Sequence, residues 1–410
     1  MKWLAHGVAA CIVCAAGEPE RTGIGTFSGS ARYRYEIFSR QGPQFPHASH
    51  ATTARLSVGY QSPAFHGFSG FVEGEGVFAL GPRDYSIPTV PGRNRPGYPA
   101  ILDPLGVEWN QAFLRWSRER ERWKLRLTAG RQEILLNDGR FVSISTWRQN
   151  HQSYDALQLN ASWRRGFSVS YAFIDRFHRV TGGRATDGRP KMNTHLADVV
   201  WKKSKRMNLS VYTLLLDYAE PSLAALSTKT FGVRLGGPHR LDEEWDLLYT
   251  AEFAGQRRSG ANPNRVNANY YLAELGAARS AASFKAGCAL LGGRSAVDKL
   301  TTPLAHPFNG WTEMFAGNPS LGSSHGLRAR YFTASAAVPC FRRLTASSTF
   351  YDYHSDSKRI HYGRELDAAL AWRMGPAESP WEIGWRMGRY WADRLFTSSL
   401  RASAYTSFMF

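Results

Sequence analysis

The chain is organised by a repeated alternation of apolar and polar positions, interrupted by turns. Over Phe27–Phe38, Ala31, Tyr33, Tyr35 and Ile37 share one face, while Arg32, Arg34 and Glu36 share the other. Ala54, Leu56, Val58 and Tyr60 repeat the pattern against Arg55, Ser57 and Gln61. Leu125, Leu127 and Ala129 repeat it against Lys124, Arg126 and Thr128. A period of two belongs to a β-strand with unlike faces. Segments of this kind recur as far as Thr397–Phe410 and number about 18, each near the ~10 residues that a tilted membrane strand needs. The connections alternate in length. Arg118–Glu121, Arg165–Gly166 and Ala281 are short; Leu80–Gly106, Leu136–Ser153, His178–Asn193, Arg257–Ala268 and Gly293–His325 are long.

The apolar rows carry no charge. Phe231, Val233 and Leu235 oppose Arg234, and Phe284, Ala286 and Cys288 oppose Lys285. Leu327, Ala329 and Tyr331 oppose Arg328 and Arg330, and Trp381, Ile383, Trp385 and Met387 oppose Glu382 and Arg386. A barrel of about 18 strands is too wide for side chains to fill. The apolar row must then meet lipid and the charged row must line a lumen. An Arg on the lipid face costs roughly 2–4 kcal/mol at the midplane, which accounts for the split. The expected fold is all-β: a membrane-spanning antiparallel up-and-down β-barrel of about 18 strands, with short periplasmic turns and long extracellular loops. Tyr35, Tyr60, Trp116, Trp201, Trp372 and Tyr390 stand near strand ends, as an interfacial girdle would. The last strand ends in Phe410, similar to the signal read by barrel-assembly machinery, and closure against the first strand would leave no exposed edge.

Lys2 followed by the apolar run Trp3–Cys14 and by Ala15, Ala16 and Gly17 reads as a secretory signal over residues 1–17, with one barrel domain over 18–410. No later run is apolar enough for a transmembrane helix, and mean hydropathy is −0.37. Outside the signal the cysteines are Cys288 and Cys340; two unpaired residues are expected, a disulfide being allowed but unforced. Net charge is +18, yet the arginines recur strand by strand rather than in one arm, which argues for a basic lining and against nucleic acid. The inward set on this register includes Arg32, Arg34, Arg55, Arg115, Arg126, Arg234, Arg328, Arg330, Arg386 and Arg401, against fewer acids such as Glu73, Glu75, Glu252 and Asp367. A positive channel concentrates anions, and Arg pairs bidentately with carboxylates. Gly-x-Ser-x-Gly and His-Glu-x-x-His are absent. Asp138/His151 and His354/Asp356 read as polar loop residues, so no enzyme, cofactor or metal is expected.

Three motifs carry a resemblance. Gly130, Arg131, Gln132, Arg140, Phe141, Val142, Trp147, Arg148, Gln149, Asn150 and Asp155 form the first. The second is Asp103-Pro104-x-Gly106-x-Glu108-x-Asn110-Gln111-Ala112, and the third is Thr302-Pro303-Leu304-Ala305 followed by Phe308-Asn309-Gly310-Trp311. Together they resemble the alginate export family of outer-membrane barrels. The resemblance implies a monomeric 18-stranded barrel in the bacterial outer membrane, with an arginine-rich constriction passing an anionic polyuronate, and loops and a periplasmic turn that gate it. The periplasmic turns here are modest, which argues against a plug built from one. The residues expected to carry selectivity are Arg126, Arg131, Arg140, Arg148, Arg234, Arg328 and Arg330, with Asp138 and Asp155 beside them. The expected partners are the polysaccharide, outer-membrane lipid, the assembly machinery and periplasmic export components. A general anion or small-acid uptake porin, an outer-membrane hydrolase and a plugged structural barrel are the alternatives.

Overall fold

Alternating side chains let each strand bury one face and present the other, and the computed structural model resolves that pattern into one closed sheet. It describes residues 23–204, 206–305, 309–315, 324–339, 341 and 343–410. The expected signal over 1–17, Cys340 and Phe308 lie outside these. The strands are β1 (Thr26–Arg40), β2 (Ser49–Gln61), β3 (Phe68–Asp84), β4 (Gly106–Arg120), β5 (Trp123–Gln132), β6 (Ser153–Trp163) and β7 (Phe167–His178). Then follow β8 (Lys191–Ser204), β9 (Met207–Leu216), β10 (Thr228–Arg240), β11 (Trp245–Arg258), β12 (Asn267–Arg279) and β13 (Ala282–Leu291). A small hairpin, β14 (Gly293–Ser295) and β15 (Asp298–Lys299), stands in a loop. The wall resumes with β16 (Leu327–Ala337), β17 (Leu344–His354), β18 (His361–Met374), β19 (Trp381–Ala392) and β20 (Ser399–Met409).

Each wall strand pairs antiparallel with the next, and β20 pairs with β1 from Ser30↔Met409 to Arg40↔Ser399, so 18 strands close without an edge. The connections alternate as expected. One rim has turns of a few residues, such as 121–122 and 280–281, and both chain ends of the sheet. The other has the long segments 85–105, 133–152 and 292–326. The outward rows are apolar and exposed: Leu127, Phe231, Val233, Phe284, Trp381 and Ile383 among them. No helix among the described residues is long and apolar enough to cross a membrane; strands do the crossing.

The lumen is not empty. Three long-rim segments fold into it, and each brings its own apolar contacts. Ile134, Phe141 and Val142 of segment 133–152 pack with Tyr212, Tyr270 and Leu272 of the wall and with Leu300 and Leu304 of segment 292–326. Tyr85, Ile87, Val90 and Ile101 of segment 85–105 pack against Phe38 and Ala51. Met314 and Phe315 pack against Leu327, Tyr353, Tyr362 and Tyr390. Tyr390 is therefore fully buried inside and is no girdle residue. Cys288 is a free thiol on the outward row of β13.

Candidate functional site: a basic crossing in the lumen

Segment 133–152 enters the barrel on two local devices. Asn137 (φ +50°) and Gly139 (φ +85°) turn the chain, and the Arg140 amide donates to Asp138 Oδ1 at 3.1 Å. Such left-handed positions suit Asn and Gly. Phe141 then sits against the Tyr212 and Tyr270 rings at 5.7 and 5.5 Å. The Ser143 amide donates to the Leu304 carbonyl at 2.9 Å, and Gln152 Nε2 donates to the Ser143 and Leu304 carbonyls. Two inward segments are thus tied to each other before either reaches the far wall.

Trp147, Arg148 and Gln149 make that reach. Arg32 of β1 donates from Nε to Gln149 Oε1 at 2.9 Å, from Nη1 to the Thr146 carbonyl at 2.8 Å, and to the Arg148 carbonyl. Gln149 Nε2 in turn donates to Thr53. Arg34 donates to the Trp147 carbonyl and holds both oxygens of Asp103, at 2.7 and 2.6 Å. Burial disfavours the Asp103 carboxylate, but the Arg34 charge and hydrogen bond outweigh it, and the carboxyl lies below its usual range.

These pairs extend into one ionic chain across the lumen. Arg148 bonds Glu313; Glu313 lies 2.9 Å from Arg401 of β20; Arg401 Nε donates to Glu36 at 2.7 Å; Glu36 lies 3.3 Å from Arg34. The chain joins wall strands β1 and β20 to all three inward segments. Arg386 of β19 stands beside it without a salt bridge to a described residue. Its guanidinium lies 3.9 Å from the Trp147 ring centre, 5.3 Å from Trp311 and 5.9 Å from Tyr405. Trp311 is held in turn: its amide and that of Thr312 donate to Asp367 and Glu365 of β18. Gly310 (φ +81°) permits the approach, since a Cβ there would lie 2.4 Å from the Glu365 carboxyl. At this crossing Arg34, Arg148 and Arg401 are paired with Glu36, Asp103 and Glu313, while Arg32 and Arg386 have no ion pair with a described residue.

The sequence-expected residues divide. Arg148 is in the ionic chain. Arg234 faces the lumen and pairs with Glu252 and with Asp138, the latter at 3.1 Å. Arg140 stands over the Tyr270 ring and donates to Asn309. Arg126 lies on the inward row of β5 beside Thr128, with no salt bridge to a described residue.

Four residues expected to line the pore face outward instead. Arg131 and Asp155 continue the outward row of Leu127 and Leu157, paired with each other at 2.8 Å near the long-loop rim, with His178 on the same carboxylate. Arg328 and Arg330 are also outward, on one row with Phe332, while Leu327 and Ala329 are buried inside. The physical reason is common to both: at this rim the inward segments make the interior dry, and the outside is headgroup rather than hydrocarbon. Glu313 and Trp311, outside the expected set, stand in the longest late loop; the sequence signal for Trp147 and Trp311 is their place in the first and third motifs.

Comparison with known proteins agrees with this architecture. A family model for alginate export matches residues 103–282. Acinetobacter baumannii OccAB3 superposes with a TM-score of 0.70 at 13% identity, covering 94% of this chain and 99% of that one. Acinetobacter baumannii OccAB4 gives 0.68 at 10%, covering 95% and 100%. Pseudomonas aeruginosa OpdK with vanillate gives 0.66 at 12%, also covering 95% and 100%. No curated protein sequence matches the chain. The chain has the closed 18-stranded barrel fold of the outer-membrane proteins it is similar to, and residues 103–282 match the family model for alginate export.

Proposed function

We propose that this porin passes carboxylate-bearing anions passively, with an alginate-like polyuronate as its substrate, and that it acts as a non-enzymatic monomer. The observation that carries the reading is that two guanidiniums of the crossing, Arg32 and Arg386, stand outside any described ion pair. A fixed positive field in a narrow, low-dielectric passage raises the local anion concentration. The bidentate guanidinium geometry favours carboxylates over spherical anions. Trp147 and Trp311 beside Arg386 offer flat apolar faces against which a sugar ring can slide. Arg126, Arg140 and Arg234 extend the basic path along the lumen, and periplasmic export components would deliver the polymer.

A second reading is uptake of small organic acids. It is favoured by the likeness to a porin crystallised with vanillate and by the three segments that crowd the lumen. Planar-bilayer recordings test both. In a salt gradient the reversal potential should report anion preference, and added polyuronate should block the current. Arg386→Gln with Arg32→Gln should move the reversal potential toward zero and relieve the block. Block by a monomeric uronate or an aromatic acid with no effect of the polymer would select the uptake reading. Cation preference would overturn both.

A further inference from the structure

The outward face of β16, β17 and β18 breaks the apolar rule near the long-loop rim, and the strand register makes the break orderly. Arg328 lies opposite His354, which lies opposite His361; two residues further along β16, Arg330 lies opposite Asp352, which lies opposite Arg364. The row after that is Phe332, Phe350 and Leu366. Phe332 is 50% exposed and Phe350 43%, as lipid-facing side chains should be. The two charged rows therefore sit immediately above the hydrocarbon belt, at the depth of outer-leaflet headgroups.

Within the patch the acids are already occupied. Asp352 Oδ1 is 3.0 Å from His361 Nε2 and 3.4 Å from Arg364 Nε; Oδ2 is 3.4 Å from His354 Nδ1. Asp393 is 3.2 Å from His361 Nδ1. Arg328 and Arg330, by contrast, form no salt bridge with any described residue. Lys358 and Arg359 are exposed in the connection just above. The patch thus has more cations than acids, and two of its guanidiniums are uncommitted.

Directly beneath lies a trough of about 610 Å³ in the outer wall. Small side chains, Ala273, Ala286 and Cys288, leave it hollow; Leu275, Phe332 and Phe350 flank it; Arg330 and Asp352 stand at its head. The trough is open to the lipid along its length, so a chain laid in it keeps one side against the bilayer. An apolar trough that ends in free guanidiniums matches an acyl chain with an anionic head.

Asp352, His354 and His361 offer donor atoms within 4.8 Å of one another, the spacing of a metal site. Arg364 already on that carboxylate, with Arg330 and Arg328 on the facing strand, disfavours a divalent cation, and the same three guanidiniums favour a phosphate. We propose that this patch and trough form a binding site for a phosphorylated glycolipid of the outer leaflet, of the lipid A type, with a phosphate on Arg328, Arg330 and Arg364 and an acyl chain laid in the trough.

Native mass spectrometry of the detergent-purified protein tests this, with diphosphoryl lipid A, dephosphorylated lipid A, inorganic phosphate and zinc as probes. Diphosphoryl lipid A should be retained at one per chain, and Arg328→Gln with Arg330→Gln should weaken it about thirtyfold. Ala286→Phe, which fills the trough from the lipid side, should weaken lipid A and leave any phosphate binding unchanged. Each variant is first checked for the faster gel migration of an unboiled barrel. Equal retention of dephosphorylated lipid A, equal affinity for inorganic phosphate alone, or no effect of either substitution would overturn the proposal. So would one zinc per chain, lost in His361→Ala, with no lipid A retained.

Discussion

Asp103 shows how much one side chain does here. It is fully buried, and both its oxygens accept from Arg34, which is itself fully buried. Removing one partner of a buried pair leaves a charge with neither water nor counter-ion, at a cost of roughly 3–5 kcal/mol. Asp103→Asn should therefore release segment 85–105 from the β1 wall. Limited proteolysis should then cut within that segment, while the barrel itself resists; an uncut segment would mean that its apolar contacts with Phe38 and Ala51 suffice. His151 gives a pH dependence of defined sign. Burial first, and Arg55 next, lower its pKa from 6.5 to about 3; Glu73 and Glu75 act the other way. Its ring nitrogen lies 3.0 Å from Glu133, and its amide donates to Glu75. The folded segment thus holds a neutral imidazole, whereas a released segment takes up a proton below about 6.5. Anchoring is complete above that pH and weakens as pH falls toward about 3. Glu133, raised by burial, binds its proton more tightly in the folded segment and offsets part of the loss at the acid end. Current fluctuations in a bilayer should grow between pH 7 and pH 5, as the charged fraction of the released histidine rises about fourfold, from roughly a quarter to nearly all. His151→Gln should abolish that growth; unchanged fluctuations in the wild type would remove His151 from the anchor.

At the scale of elements, the inward segments are held by few apolar contacts and the wall by continuous ladders, so the two should fail separately. Phe141 is 5% exposed between Tyr212 and Tyr270. Phe141→Ala costs roughly 3–5 kcal/mol where the cavity cannot collapse. That loss should free segment 133–152 and raise single-channel conductance, with heat-modifiable migration unchanged; a barrel that no longer resists detergent would show that the segment supports the wall as well. The same division explains what the sequence discloses. Alternation sets strand count, closure and most faces, because an 18-stranded wall repeats one rule and lipid enforces it. It misleads at β16, where Leu327-Arg328-Ala329-Arg330 alternates as cleanly as any strand. There the apolar row packs on Phe315 and Tyr353 inside, and the basic row meets headgroups outside. Arg131 and Asp155 follow the outward parity of Leu127 and Leu157; the motif resemblance, not the alternation, assigned them to the pore. The ionic chain was only half legible. Arg32, Arg34, Arg386 and Arg401 follow from strand parity, but Glu313 and Trp311 reach them from a loop whose path no periodicity fixes.

For the whole molecule, the cross-section is divided. At the level of the inward segments, the side formed by β5 to β13 is aromatic around Phe141, Tyr212 and Tyr270, while the side formed by β1 and β18 to β20 is ionic around Arg34, Arg386 and Arg401. Outside, the two sides are alike, because hydrocarbon does not distinguish them. A charge added at one depth should therefore have a cost set only by which face it enters. Val233 is outward, 39% exposed and near the middle of β10. Val233→Arg places a guanidinium in the bilayer core at roughly 2–4 kcal/mol. Ser170 of β7 is on the inward row, paired with Asn160 and Asp198, where an added guanidinium meets water or a carboxylate. Ser170→Arg should leave stability within about 0.5 kcal/mol of wild type, as surface substitutions do. Urea unfolding from lipid vesicles, followed by gel migration without boiling, measures both. If the two variants lose equal stability, the lumen at that level is as dry as the bilayer; the aqueous path would then be confined to the ionic side, and the conduction pathway would have to run along β1 and β20 alone.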